Sequence, residues 1–411
     1  MKLHLIGPSG DLLISNIQIT GSKSESNRSL LLQALYPDIS IRNCSNSDDA
    51  EAMQKGLAMD NGEIDIHHAG TAMRFLTGYF AAQEGKDIVL TGSGRMKERP
   101  IKVLVDALKS LGADIGYVKN EGYPPIRIHG KKLAGNNVSL PADISSQYIS
   151  SLLLIAPSLE NGLEMELVGK ITSVPYIKMT LGLLDQIGVQ TSFEGNTIKV
   201  SAVKRVAPIE LVVESDWSSA SYFYSIVALS GAGSEIRLGS YKKNSLQGDS
   251  VLAEIYTDFG VETTFKANAI VLKKVKEHKS RSFTYDLANT PDIAQTIAVT
   301  CLGLGVGCGL KGLHTLKIKE TDRLEAMKTE LSKFGAKVSV TDRSLLLQPS
   351  IDLKLKQEVA IDTYNDHRMA MAFAPLSMKT SFVVNEAEVV SKSYPDFWED
   401  LKEVGFRPQE L

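Results

Sequence analysis

The chain has 411 residues, enough for about two domains and a large buried core. Hydrophobic residues make up 43% and charged residues 23%, as is ordinary for a globular protein and far from disorder. Lys+Arg at 45 against Asp+Glu at 48 gives a formal charge of −3, which argues against nucleic acid as the main partner but not against a cationic cluster around a small anion.

Residues 1–11 carry too short an apolar stretch for a signal peptide and too little Arg for a transit peptide. Cys44, Cys301 and Cys308 are too few and too scattered for a disulfide framework or a zinc site. A cytoplasmic protein is expected.

Gly21-Ser-Lys23-Ser24-Glu-Ser-Asn-Arg28 opens a helix, with Ser24 or Ser26 as its natural N-cap. Lys23 and Arg28 oppose the macrodipole there; a bound anion would relieve the conflict and use the free backbone N–H groups. A capped surface helix would show the same residues. Ala69-Gly70-Thr71-Ala-Met-Arg74 repeats the pattern, and Gly70 would let an anion approach the backbone closely. Thr91-Gly-Ser-Gly94-Arg95-Met-Lys97-Glu-Arg99-Pro100 sets three cations in five residues behind two glycines, with a helix starting at Pro100. Ser145, Ser146 and Gln147 precede an apolar helix over 152–156 and suit the neutral part of a polyol. Ser173-Val-Pro-Tyr176 is a weaker version.

Further on, Thr290-Pro291-Asp292 starts a helix with Pro at the first position. The uncharged run 293–310 reads as a buried helix entering a Gly-rich strand, its Gln295, threonines and glycines opposing a membrane span. In Lys317-Ile-Lys319-Glu320-Thr-Asp-Arg323, Glu320 and Arg323 lie three apart on one face of the incoming helix. Asn365-Asp366-His367-Arg368 puts cations in a first turn after an Asn/Asp cap, and Lys392 precedes a helix begun by Pro395.

One phrase recurs along the chain: an amphipathic helix, a large apolar residue, a glycine, then a strand. Its glycines are Gly112, Gly188, Gly260, Gly335 and Gly405, spaced 76, 72, 75 and 70 residues apart. Each fits a helix C′ position that needs a left-handed backbone. A weaker copy runs through 51–60 into Gly62-Glu-Ile-Asp-Ile66. Strands are predicted over 336–340 and 197–200. Six units of about 70 residues fill the chain, and two α/β domains of three units each are expected.

Five helix starts bearing Lys or Arg imply a ligand with more than one anionic group. Gly-x-x-x-x-Gly-Lys-Ser/Thr is absent, no Gly-x-Gly-x-x-Gly follows a strand, and no His/Asp/Glu cluster has metal spacing.

The ordered set of Gly21-Ser-Lys23-Ser with Asn27-Arg28, Ala69-Gly70-Thr71-Ala-Met-Arg74, Arg95-Met-Lys-Glu-Arg-Pro100, Ser145-Ser-Gln147, Asp292, Lys319-Glu320-Thr-Asp-Arg323-Leu, Asn365-Asp-His-Arg368-Met-Ala-Met and Lys392 closely resembles the 5-enolpyruvylshikimate-3-phosphate synthase family over the whole chain. The resemblance implies an α/β fold of two inside-out, barrel-like domains, each of three βαβαββ units, joined by a two-strand hinge. One domain would span 21–213 and carry most shikimate 3-phosphate contacts. The other would combine 1–20 with 214–411 and carry most phosphoenolpyruvate contacts and the catalytic carboxylates.

The implied reaction transfers the enolpyruvyl group of phosphoenolpyruvate to the 5-hydroxyl of shikimate 3-phosphate and releases phosphate, a step of chorismate and aromatic amino acid biosynthesis. By resemblance, Asp292 is the base for the hydroxyl, Glu320 the acid for the methylene carbon, and Lys23 a further proton-transfer group. Lys23, Ser24, Arg28, Ser145, Ser146, Gln147, Ser173, Asp292 and Lys319 match the shikimate 3-phosphate contacts. Lys23, Gly70, Arg95, Gln147, Arg323, Arg368 and Lys392 match the phosphoenolpyruvate contacts, with His367 beside Arg368. No cofactor, metal, nucleic acid or membrane is implied, and a monomer is expected. His68, Phe75 and Thr315 depart from the family's usual Asn, Pro and Asn. The related transferase acting on UDP-N-acetylglucosamine usually carries a reactive Cys in the loop matching 92–99, where this chain has none. A catalytically dead binding member would have little reason to keep Asp292, Glu320 and Lys23 together.

Overall fold

A computed structural model describes residues 1–171, 174–278, 280–350 and 355–411. The chain divides into two compact units, Gly21–Val213 and a discontinuous unit of Met1–Thr20 with Glu214–Leu411. Each unit contains three sheets, and one construction recurs in them.

The recurring element is strand, helix, parallel strand, helix, then a hairpin that returns antiparallel. In the continuous unit it runs through Gly62–Asp65, helix Gly70–Ala81, Asp87–Thr91, helix Lys102–Ser110 and the hairpin Asp114–Tyr117 with Ile126–His129. It repeats from Asn137–Pro141 through helices Ser146–Ile155 and Val174–Gln186 to Thr197–Val200. The third copy pairs Ile209–Val212 with Ile39–Arg42 in parallel and has no hairpin among the described residues. Gly62, with φ of 105°, leads there into the first strand of the next sheet.

In the discontinuous unit, one copy runs from Ser282–Asp286 through helices Ala294–Leu304 and Arg323–Lys333 to the hairpin Val338–Thr341 with Ser344–Leu347. Another is interrupted by the whole of 21–213: Ile14–Ile17 pairs in parallel with Glu235–Gly239 on the far side of that insertion. In the last, strand Leu3–Ile6 lies between Phe382–Val384 and Arg407–Glu410, so both chain ends share one sheet.

The repeat follows from local chemistry. Gly112, Gly188, Gly260, Gly335 and Gly405 all have φ between 81° and 104°. Four of them stand two residues past the second helix of a copy as a left-handed cap, and Gly260 closes the turns that follow the short helix Leu252–Ile255. The first helix is apolar nearly all round: every residue of Gly70–Ala81 and of Trp217–Leu229 is buried. Such helices must lie inside. Strands cover them with one face, as the alternating burial of Leu163–Val168 shows. The run 293–310 forms the buried helix Ala294–Leu304 and strand Gly307–Lys311. No helix among the described residues is long and apolar enough to cross a membrane.

Five helix starts differ from the sequence reading. Ser146 and Gln147 lie within helix Ser146–Ile155 rather than ahead of it, and the helix after Lys392 begins at Phe397, with Asp396 at its cap, rather than at Pro395. Ser22, not Ser24 or Ser26, stands at the N-cap of Lys23–Leu35, without a side-chain capping hydrogen bond; Ser26 lies inside the helix, where its hydroxyl accepts from the Ser45 amide. The helix after Pro100 begins at Lys102, with Ile101 at its cap. Glu320 stands before the helix rather than on it, since Asp322 is the N-cap of Arg323–Lys333.

Candidate active site

In the discontinuous unit, helices Trp217–Leu229, Ala294–Leu304 and His367–Phe373 pack together, and their N-terminal ends bring side chains to one place. Arg323 is the hub of this cluster. Its side chain is 2% exposed, and it donates from Nη1 to Asp292 Oδ1 at 2.8 Å and from Nη2 to Glu320 Oε2 at 2.9 Å. Nε and Nη2 grip Asp366 at 2.6 and 3.3 Å. Asp366 in turn caps its helix by accepting from the Arg368 amide. Three carboxylates around one planar fork fix its orientation.

Four cations surround those carboxylates. Arg368 Nη2 reaches Asp292 Oδ2 at 3.2 Å, and Lys319 Nζ lies 3.6 Å from Asp292 Oδ1. Lys392 donates to Glu320 Oε1 at 2.9 Å. Burial alone would raise the Asp292 carboxyl, but Arg368, Lys319 and Arg323 together hold it well below the usual carboxylate range. Burial lowers the Lys319 amine, partly offset by Asp292 and Glu320. Asp292, Lys319, Glu320, Arg323, Arg368 and Lys392, distant in sequence, are therefore assembled together.

The continuous unit builds a second set of contacts at its own helix starts. Lys23 Nζ lies 3.2 Å from Asp49 Oδ2, a carboxylate on helix Asp48–Leu57. Arg28 donates to Thr180 Oγ1, Ser150 Oγ and the Ser24 carbonyl, each at 2.8 Å, and its guanidinium stands 5.3 Å from the Phe75 ring centre. Burial pushes that guanidinium down to about 10. Phe75 thus supports Arg28 as a cation–π partner.

Gln147 donates to Thr71 Oγ1 at 3.1 Å, joining helix Ser146–Ile155 to the Gly70 turn. Ser145 caps that helix through the Gln147 amide, and Ser146 is half-buried beside it. A Cβ at Gly70 would fall 2.5 Å from Arg99 Nη1, so the Arg99 guanidinium lies directly on this glycine. Arg95, from the same loop, is 46% exposed and pairs with Glu98 at 3.2 Å. His68 contacts Ser93 Oγ at 2.9 Å. Ser173 lies outside the described residues.

Four residues here were not singled out from sequence. Arg99 sits in the cation-rich loop, and only the packing against Gly70 distinguishes it from Arg95. Asp366 stands in the Asn365–Arg368 phrase but reads there as a cap. Asp49, and Ser218 whose hydroxyl accepts from Arg368 Nη2 at 3.3 Å, carry no local signal beyond an ordinary helix start.

A two-unit α/β fold with buried cations gathered at helix starts is chemically suited to hold small anions. A family profile described as EPSP synthase (3-phosphoshikimate 1-carboxyvinyltransferase) matches residues 58–401. A protein of Bacteroides fragilis named 3-phosphoshikimate 1-carboxyvinyltransferase is 44% identical over 408 residues, covering 99% of this chain and 98% of that one. One of the same name from Haemophilus influenzae is 36% identical over 94% of this chain and 96% of its own length. The solved EPSP synthase of Acinetobacter baumannii matches the fold with a TM-score of 0.81 over 100% of both chains at 22% identity. This chain belongs to the EPSP synthase family.

Proposed function

We propose that the chain transfers the enolpyruvyl group of phosphoenolpyruvate to the 5-hydroxyl of shikimate 3-phosphate, acting in the cytoplasm as a monomer. The bookkeeping of atoms defines the task. A proton adds to the methylene carbon, C2 gains positive character, and the hydroxyl oxygen attacks it while losing its proton. The C2–O bond to phosphate then breaks, and a proton leaves the new methyl group to restore the double bond.

The observation that carries this reading is the Arg323 hub, which holds two candidate proton-transfer carboxyls, Asp292 and Glu320, amid four cations. Glu320 is assigned the protonation of the methylene carbon and Asp292 the removal of the hydroxyl proton, with Lys23 as a further proton-transfer group. General acid–base help of this kind is worth roughly 10²–10⁴-fold each.

Arg323, Arg368 and Lys392 are assigned to phosphoenolpyruvate, as are Lys23, Gly70, Arg95 and Gln147. Arg99, whose guanidinium lies against Gly70, is assigned to the same set. Lys23, Ser24, Arg28, Ser145, Ser146, Gln147, Ser173, Asp292 and Lys319 are assigned to shikimate 3-phosphate.

Pairing also explains how the base is controlled. A carboxylate held by three cations is a weak base, because a depressed pKa lowers its proton affinity. Substrate anions compete for the same cations, and each cation they draw away makes Asp292 more basic. The test is phosphate release: both substrates together should release phosphate, and either alone should not. Absence of phosphate with both present would falsify the proposal.

A further inference from the structure

One buried carboxyl beside the cluster has no role in the reaction as written. Asp249, in the short turn Gly248–Val251, is 7% exposed. Its Oδ2 accepts a hydrogen bond from the Ser218 hydroxyl in the first turn of helix Trp217–Leu229. Ser218 Oγ also accepts from Arg368 Nη2 at 3.3 Å, and the same Nη2 donates to Asp292 Oδ2 at 3.2 Å. Asp249, Ser218, Arg368 and Asp292 form one polar chain that ends on the candidate base.

The carboxyls here differ in how they are compensated. Asp292 faces three cations and Glu320 two, while Asp366 is gripped twice by Arg323. Asp249 makes no ion pair among the described residues; its partner is a hydroxyl. The charged groups around it are Arg368 from helix His367–Phe373, Asp292 from the turn Pro291–Ile293, and Asp216 at the cap of Trp217–Leu229. Burial, then the charge of Asp292, push the Asp249 carboxyl up to about 7, against the Ser218 bond and Arg368.

We propose that Asp249 is a positioning residue for Arg368 that takes up one proton from solvent when a substrate anion binds at that guanidinium. The inference rests on the enolpyruvyl-transfer reading of the site. Its charge, relayed through Ser218, offsets part of the charge of Arg368. An incoming carboxylate or phosphate adds negative charge, and like charges in one site raise the pKa of the group least held by cations. Asp249 is the buried carboxyl in that position; Asp216, also without an ion pair among the described residues, is only half-buried and accepts from both the amide and the hydroxyl of Ser219. Once neutral, Asp249 leaves Arg368 to the substrate.

The test compares KM for phosphoenolpyruvate in wild type and Asp249→Asn between pH 6 and 8.5 with shikimate 3-phosphate saturating. The substrate's own titration is common to both proteins, so their ratio isolates residue 249. Wild-type KM divided by variant KM should rise with pH, by about tenfold for each unit that the bound anion raises the carboxyl pKa. A merely structural role gives a ratio independent of pH, and that result overturns the proposal. Difference infrared spectra of the wild type at pH 7.5 supply a second measurement that needs neither a folded variant nor turnover. A protonated-carboxyl band should grow when phosphoenolpyruvate alone is added, and no growth overturns the proposal. A wild type that releases no phosphate with both substrates contradicts enolpyruvyl transfer alone, and absence of the infrared band, or its persistence in Asp249→Asn, still overturns the assignment to Asp249.

Discussion

Arg323 Nη1 donates to Asp292 Oδ1 at 2.8 Å, so a guanidinium suited to bind an anion and a carboxylate suited to take a proton neutralise each other. Binding and base strength are therefore linked. An anion that engages Arg323, Arg368 or Lys319 weakens the hold on Asp292 and raises its pKa. The profile of kcat/KM reports the free enzyme and that of kcat the substrate complex. The acid limb attributable to Asp292 should lie at lower pH in kcat/KM than in kcat. Coincident limbs would remove the linkage.

Asp292→Asn and Glu320→Gln preserve shape while deleting the proton-transfer group. Each should lower kcat by about 10²–10⁴-fold. Shikimate 3-phosphate should still bind, as measured by calorimetry. A variant that turns over normally has lost nothing chemical, and its assigned role would then be wrong.

Arg323→Ala leaves Asp292, Glu320 and Asp366 without their shared partner. Breaking a buried ion pair on one side costs on the order of 3–5 kcal/mol. The sign with pH is fixed by Asp292, whose folded pKa lies below its unfolded value. Its pairing stabilises the fold fully above the unfolded carboxylate pKa, and the effect is lost as pH falls through the folded value. Denaturation should therefore show a large stability gap between wild type and variant at pH 7 that narrows on acidification. Arg323→Lys should recover only part of it, because an ammonium cannot bridge three carboxylates.

Gly70→Ala tests the other unit. The new Cβ would stand 2.5 Å from Arg99 Nη1, a contact relieved by moving the guanidinium rather than the backbone. Losing one charged hydrogen bond costs roughly 1.5–3 kcal/mol, or about tenfold and more in KM for phosphoenolpyruvate. The melting temperature should change little. Unchanged KM would show that Arg99 does not touch the substrate.

The repeat was readable because its punctuation is local: a glycine with positive φ after an amphipathic helix leaves its mark in five places. The apolar first helices, such as Gly70–Ala81, likewise announce that they are buried. Motif phrases pointed to Asp292, Lys319, Glu320, Arg323, Arg368 and Lys392. Their mutual geometry was hidden, since Asp292 and Arg368 meet only when separate helices pack. Register within a loop was hidden as well: Arg95 and Arg99 sit four residues apart in one charged stretch, and only packing places Arg99 on Gly70. Asp249 had no sequence signal, because a carboxyl paired with a hydroxyl across 31 residues leaves no local pattern.

The most direct measurement of enolpyruvyl transfer is mass spectrometry of the product formed in heavy water. Protonation of the methylene carbon makes a transient methyl group, so the transferred enolpyruvyl group should acquire solvent deuterium as phosphate is released, and Glu320→Gln should suppress both. Phosphate release with no deuterium in the product would contradict protonation at that carbon, and no enolpyruvyl product at all would contradict the proposed reaction.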